Sequence, residues 1–292
     1  MPTNPLINTA MGSYHIVELI SKGGVAEVFR AEHTTDRSEI AIKVMRPDRA
    51  GDKEQVKAFE AEFAFLQQLS HPGIPNARRL GDIQGRRAMA MDYVPGKTLH
   101  QMRVSETKFD RVGALLALVQ IVAHIHGQDI IHNDLKLENC ILQPTGRVSL
   151  VDFGNARSAK GGGFLSRLFG RKRPIFGTAS YIAPEVVTGG EPTMASDCYS
   201  IGVCAHIILN GEPPFNDPRQ SARLRRAVKE QAPRICDRVP RLPKELGDLI
   251  DRCVEKDPDR RPVSAQVLKA KLKDHFGSGM HMSPAQLTKH LD

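Results

Sequence analysis

No tryptophan occurs among the 292 residues, and aromatic side chains make up only 5% of them. A chain so poor in flat rings has little with which to stack unpaired bases, so nucleic acid is not expected as a partner. That exclusion matters because the formal net charge is +8 and the pI is about 9.3. The excess points instead to phosphate-bearing ligands and to an acidic partner or substrate. Cysteine is also scarce: Cys140, Cys198, Cys204, Cys236 and Cys253 include no Cys-x-x-Cys pair, and their number is odd. Neither a disulfide framework nor a cysteine zinc site follows, and reduced thiols are expected. His124, His126 and His132 are close in sequence, but residues two apart on a helix do not share a face, so no metal centre is expected there. No apolar run is long enough to span a bilayer. The start, Met1-Pro2-Thr3-Asn4-Pro5, lacks the basic and apolar segments of a signal peptide. A cytoplasmic location, with no membrane segment in this chain, is the expectation.

The remainder is ordinary globular composition, 40% hydrophobic and 25% charged, enough for one large or two smaller domains. Residues 1–13 read as a poorly ordered lead. Residues 14–20 and 25–31 read as strands around Ser21-Lys22-Gly23-Gly24, and 39–45 as a third strand with Lys43 among apolar neighbours. Residues 54–69 have helical periodicity through Val56, Phe59, Phe63, Leu66 and Leu69, and carry Glu60 and Glu62. Two more strands, 80–83 and 87–94, flank Gln84-Gly85-Arg86. From there the chain turns helical, with a long apolar face over 109–128, an apolar helix from Ser196 to about Leu209 and a final helix over 264–276, and a tail from Gly277 is expected to be disordered.

The organising stretch is Ile131-His132-Asn133-Asp134-Leu135-Lys136-Leu137-Glu138-Asn139, followed by Val151-Asp152-Phe153-Gly154. An acid, a cation and an amide at tight spacing, with a second acid downstream, are the groups phosphoryl transfer requires. The stretch resembles the catalytic loop and Asp-Phe-Gly motif of serine/threonine protein kinases, with Asn133 where that family has arginine. Ile40-Ala41-Ile42-Lys43 resembles the family's lysine strand, Ala183-Pro184-Glu185 the end of its activation segment, and Arg261 its late arginine. The hairpin at Gly23 is similar to the glycine-rich loop, with Ser21 and Ala26 in place of the first and third glycines. The wording around Gly23 and Ala183 is closest to the bacterial, Hanks-type branch.

The resemblance implies an α+β, two-lobed protein kinase fold: a small antiparallel sheet with one helix over 14–94 and a larger, mainly helical lobe over 95–276, together one domain between a lead (1–13) and a tail (277–292). It implies ATP with Mg²⁺ or Mn²⁺, and a protein substrate, the chain itself included. Asp134 would act on the substrate hydroxyl, Lys136 would neutralise the γ-phosphate, and Asn139 and Asp152 would hold the metal. Lys43 would hold phosphates, placed by Glu62 in preference to Glu60. Ile20, Ser21, Lys22, Gly23, Gly24, Val28 and Ala41 would surround the nucleotide. Met91, Asp92 and Val94 would meet its base. Arg261 would pair with Glu185. The loop 155–176 holds Arg157, Lys160, Arg167, Arg171, Lys172 and Arg173 and no acid, which suits an acidic partner. The alternative is a pseudokinase scaffold that binds nucleotide or partners without turnover.

Overall fold

Strands β1 (Ala10–Met11), β2 (Tyr14–Lys22), β3 (Ala26–His33), β4 (Glu39–Met45), β5 (Ala77–Ile83) and β6 (Arg86–Asp92) form one antiparallel sheet in the order β1-β2-β3-β4-β6-β5. The computed structural model describes residues 4–160, 180–277 and 283–291. Period-two alternation sorts β4: Ile40, Ile42 and Val44 join Phe29 and Ile16 in one apolar layer, while Ala41 and Met45 join the layer that includes the helix. Helix α1 (Lys53–Gln68) begins at Asp52, whose carboxylate accepts from the Glu54 and Gln55 N–H groups. It buries Phe59, Glu62, Phe65 and Leu66. Phe65 takes the core position that periodicity gives to Phe63, which is only partly buried.

Two segments differ from their sequence expectation. Residues 4–13 are not a loose lead: Leu6 is fully buried over the outer sheet face. Backbone bonds from Asn8 N to Ile16 O (2.9 Å) and from Ile16 N to Thr9 O (2.8 Å) fix the segment. Leu6, Ile7 and Met11 stand at no regular helical or strand spacing, so the burial of Leu6 and Met11 is a tertiary event. Within the expected tail, Pro284–Leu291 is a helix. Ser283 and Gln286 exchange side-chain-to-backbone hydrogen bonds at its start, a capping box with proline at the first helical position. Leu287 and Thr288 are buried. The Thr288 hydroxyl donates to Asp110 Oδ1 (2.6 Å) and accepts from Val112 N (3.0 Å).

The larger lobe packs helices α2 (Leu99–Val104) and α3 (Arg111–Gly127), then Met194–Asn210, Gln220–Lys229, Lys244–Cys253 and Ala265–Gly277. Met194–Asn210 is the central helix, buried from Ala195 to Leu209 except at the partly buried Ser200. A Cβ at Gly202 would lie 2.7 Å from Cys253 Cβ, so glycine permits the approach of Lys244–Cys253. Among the described residues no helix is long and apolar enough to cross a membrane.

Candidate active site

Lys43 projects from the middle of β4 and its ammonium lies 2.7 and 2.8 Å from the two Glu62 carboxylate oxygens and 2.9 Å from Asp152 Oδ1. Burial would lower the Lys43 pKa, but Asp152 and Glu62 outweigh it and hold it above its ordinary value. Lys43 in turn holds Asp152 well below the usual carboxylate range, against burial. Burial pushes Glu62 up, opposed by Lys43 and by the Phe153 N–H. Glu60 faces elsewhere and accepts from Arg87 Nε at 2.8 Å. Phe153, fully buried, meets His132 edge-on at 4.7 Å between ring centroids. A Cβ on Gly154 would stand 3.3 Å from Asp152 Oδ1 and 3.4 Å from Glu62 Oε2, so the absence of a side chain there keeps the cluster compact.

In the larger lobe, Asp134 Oδ2 accepts from Lys136 Nζ at 2.8 Å. Burial raises the Asp134 pKa and Lys136 opposes it. Asn139 donates through Nδ2 to the Asp134 carbonyl (2.9 Å). Because that partner can only accept, the amide orientation is settled and Asn139 Oδ1 is left for another donor or a cation. Val151 N donates to Asn139 O at 2.9 Å, which brings Asn139 alongside Asp152. A carboxylate and an amide oxygen are a donor set suited to Mg²⁺, which takes few protein ligands and completes its shell with phosphate and water. The residues present therefore fit the metal.

In the smaller lobe, the β2–β3 turn closes through Gly23 N to Ala26 O (2.9 Å), and Arg46 N donates to Val25 O (2.9 Å). Ser21 pairs with Val28 and Lys22 with Glu27 across the hairpin. Gly24 would meet nothing if it bore a Cβ, and Ile20 is 46% exposed. Ala41 lies opposite Met91 in the β4–β6 ladder, and both are buried. Asp92 opens the connection to the larger lobe. Its N–H donates to Asn76 O (3.0 Å), so that donor is already used. Its carboxylate accepts from Asn76 N, Asn76 Nδ2 and Arg78 Nε at 3.1, 2.9 and 2.7 Å. Val94 follows in the partly buried connection.

Sequence reasoning did not assign a role to Asp197, in the first turn of the central helix. This carboxylate is 1% exposed and accepts from His132 N (2.7 Å) and Asn133 N (2.9 Å). It also lies 3.0 Å from His126 Nε2. His126 Nδ1 accepts from Ala265 N (2.9 Å), so the proton is on Nε2 and is donated to Asp197. An acid opening a long apolar helix was the available signal. Asn133 has φ +60° and Asp152 φ +66°, and asparagine and aspartate are the side-chain-bearing residues best suited to that region. Asn133 Nδ2 also reaches the Asn155 carbonyl, at 3.4 Å.

Glu185 and Arg261 are joined by two bonds of 2.8 and 2.7 Å. Arg261 places its other donors on the Glu255, Ala195 and Lys256 carbonyls. At the start of the basic loop, Arg157 pairs with Glu191 and Lys160 with Asp129. Arg167, Arg171, Lys172, Arg173, Ser166 and Thr178 lie outside the described residues.

Residues 14–272 match the family model described as "Protein kinase domain". The chain is 30% identical over 268 residues to the serine/threonine-protein kinase PrkC of Bacillus subtilis, covering 91% of this chain and 41% of that protein. It is 30% identical over 263 residues to the serine/threonine-protein kinase PknA of Mycobacterium tuberculosis, covering 87% and 59%. The probable serine/threonine-protein kinase PknB of Lactococcus lactis is 30% identical over 255 residues, covering 85% and 39%. The chain thus spans about two fifths to three fifths of the length of these curated relatives. With the two-lobed fold and the Lys43–Glu62–Asp152 cluster, the match establishes that this chain belongs to the protein kinase domain family, in its bacterial Hanks-type serine/threonine branch.

Proposed function

We propose that the chain transfers the γ-phosphoryl group of ATP to serine or threonine hydroxyls of a protein substrate. The carrying observation is that Lys43 is gripped by Glu62 and touches Asp152, while Asp134, Lys136 and Asn139 are joined on the facing stretch. Lys43 holds the α- and β-phosphates, and Glu62 keeps the ammonium aimed. Asp152 and Asn139 hold the divalent ion. When bound, that ion neutralises phosphate charge. Asp134 accepts a hydrogen bond from the substrate hydroxyl, orients it for in-line attack and takes its proton. Its raised pKa brings a carboxylate closer to the range useful for a base. Lys136 balances charge on the transferring phosphoryl group and holds Asp134 meanwhile. Ile20, Val28, Ala41 and Met91 supply apolar walls for the base, and Val94 with the Asp92 carbonyl supplies its polar contacts. Among the described residues all five cysteines are unpaired, which suits the reducing cytoplasm this reading requires. The basic loop outside the described residues would favour an acidic substrate.

The test is mass spectrometry of the chain and a mixed serine/threonine peptide library after incubation with Mg-ATP, wild type against Asp134→Asn. Phosphorylation that drops on the order of 10²- to 10⁴-fold in the variant is expected. Equal turnover in both proteins removes Asp134 from the base role. Mg-ATP binding with no phosphorylation in either establishes the scaffold alternative instead.

A further inference from the structure

Arg46, the first residue after β4, holds the β2–β3 turn at two carbonyls. Its backbone N–H donates to Val25 O (2.9 Å) and its Nη1 to Gly23 O (3.4 Å). The guanidinium is itself held, since Nε donates to Asp48 Oδ1 at 3.0 Å. Asp48 belongs to a tight turn in which Arg49 N and Ala50 N donate to the Arg46 carbonyl, at 3.0 and 3.1 Å. The β3–β4 ladder sets Val28 opposite Lys43 and Ala26 opposite Met45. At about 3.4 Å per residue, the turn starts only about 7 Å along the strands from Lys43, close enough for one phosphate chain to meet both.

A peptide between two glycines can turn over at little cost, so the Gly23–Gly24 unit needs something to fix it. Among the described residues no peptide bond is cis, and in a trans unit the Gly23 C=O and the Gly24 N–H point opposite ways. Fixing the carbonyl on Arg46 therefore fixes the amide as well, aimed away from the guanidinium. A Cβ on Gly24 would meet nothing within 4 Å, so there is open space beside that amide. We propose that Arg46 is a positioning residue for the nucleotide, setting the Gly23–Gly24 peptide so that the Gly24 N–H is presented to a phosphate of ATP. The inference rests on the kinase reading and deepens it. A donor already aimed leaves less ordering to be done when the nucleotide binds. The effect falls on phosphate and not on the nucleoside, which that reading sets against Ala41 and Met91, on the other side of Lys43 from the turn.

The experiment measures Kd for Mg-ATP and for adenosine by calorimetric titration of the full chain, KM and kcat for ATP with a peptide substrate, and exchange of the Gly23 amide proton by NMR. Arg46→Met keeps the backbone bond to Val25 O and removes the side-chain donors. In it Kd and KM for ATP rise about three- to tenfold, with kcat and the adenosine Kd within about twofold of wild type. The Gly23 N–H, bonded to Ala26 O (2.9 Å), exchanges about three- to tenfold faster. Asp48→Ala, which releases Nε, moves both readouts the same way by a smaller factor, and Arg46→Lys, which keeps a charged donor, stays nearer the wild type. Arg49→Met is the control: it removes the other guanidinium on Asp48 (3.3 Å) and changes neither readout. Unaltered ATP affinity and Gly23 exchange in Arg46→Met overturn the proposal. Equal losses for ATP and adenosine overturn it too, as does an Arg49→Met variant that behaves like Arg46→Met. A wild-type chain that binds no Mg-ATP, while Arg46→Met still speeds the Gly23 exchange, defeats the kinase reading and leaves the hold on the turn standing. Phosphorylation at wild-type KM in Arg46→Met defeats the proposal alone.

Discussion

Glu62→Gln separates catalytic placement from stability. The carboxylate accepts from Lys43 through both oxygens, at 2.7 and 2.8 Å. The amide keeps one acceptor and turns an N–H donor toward the ammonium, so one charge-assisted contact becomes a repulsion. Lys43 then leans on Asp152, which is 2.9 Å away and is needed for the metal. Losing one such bond amounts to about 1.5–3 kcal/mol. If it is lost from the transition state, kcat/KM falls roughly 10- to 150-fold, at about 1.36 kcal/mol per decade. Folding responds differently. The Glu62 side chain is only 3% exposed and burial already opposes its charge, so a neutral amide costs less to bury. The melting temperature should move by no more than about 4 °C, the shift that about 1 kcal/mol gives a chain of this size. Glu60→Gln is the matched control: two positions away, it holds only the half-exposed Arg87, a contact of about 0–1 kcal/mol. Steady-state kinetics on both variants, with thermal unfolding alongside, form the assay. A Glu62→Gln enzyme with wild-type kcat/KM, or one whose melting temperature collapses along with its activity, refutes the reasoning.

Restoring glycine at Ser21 and Ala26 together should change the KM for ATP more than the melting temperature; unchanged ATP kinetics would mean that neither position shapes the phosphate loop. His206 is buried with neither ring nitrogen partnered, and burial, helped by Arg238, lowers its pKa to about 4. The fold therefore favours the neutral ring, so this contribution is complete above about pH 6.5 and is lost as pH falls toward 4. It amounts to about 2 kcal/mol by pH 5. His206→Leu should lose less stability than wild type between pH 7.5 and 5 in urea titrations, and parallel losses would contradict this. Asn133 is neutral and short, so it cannot clamp a loop phosphate as arginine does. Phosphatase-treated enzyme should keep its turnover; activity that returns only as Ser158, Ser166 or Thr178 is modified would count against it.

Much of this site was legible because its parts are short and local. The β4 strand follows from a compact apolar run around Lys43, and its bounds are those expected, Glu39–Met45. The preference for Glu62 over Glu60 came with the family resemblance, and the helix turns Glu62 inward and Glu60 toward Arg87. What escaped is what depends on distant partners. Leu6 is buried only because the outer sheet face exists to receive it. Thr288 matters only because Asp110 and Val112 come within reach from about the other half of the chain. The capping box at Ser283 was readable in principle, but the glycine- and histidine-containing stretch before it drew attention to disorder. Asp197 gave no sign of its three donors because they arrive from 64, 65 and 71 residues away.

That buried carboxylate has a consequence for solvent exchange. Loop amides ordinarily trade their protons with water through small local openings. The His132 and Asn133 amides donate to an acid 1% exposed, carried by a helix buried along nearly all its length. Neither can open unless the central helix lets go. Their protons should therefore exchange as slowly as those of the core, so that the loop carrying Asp134 is, in its dynamics, part of the interior.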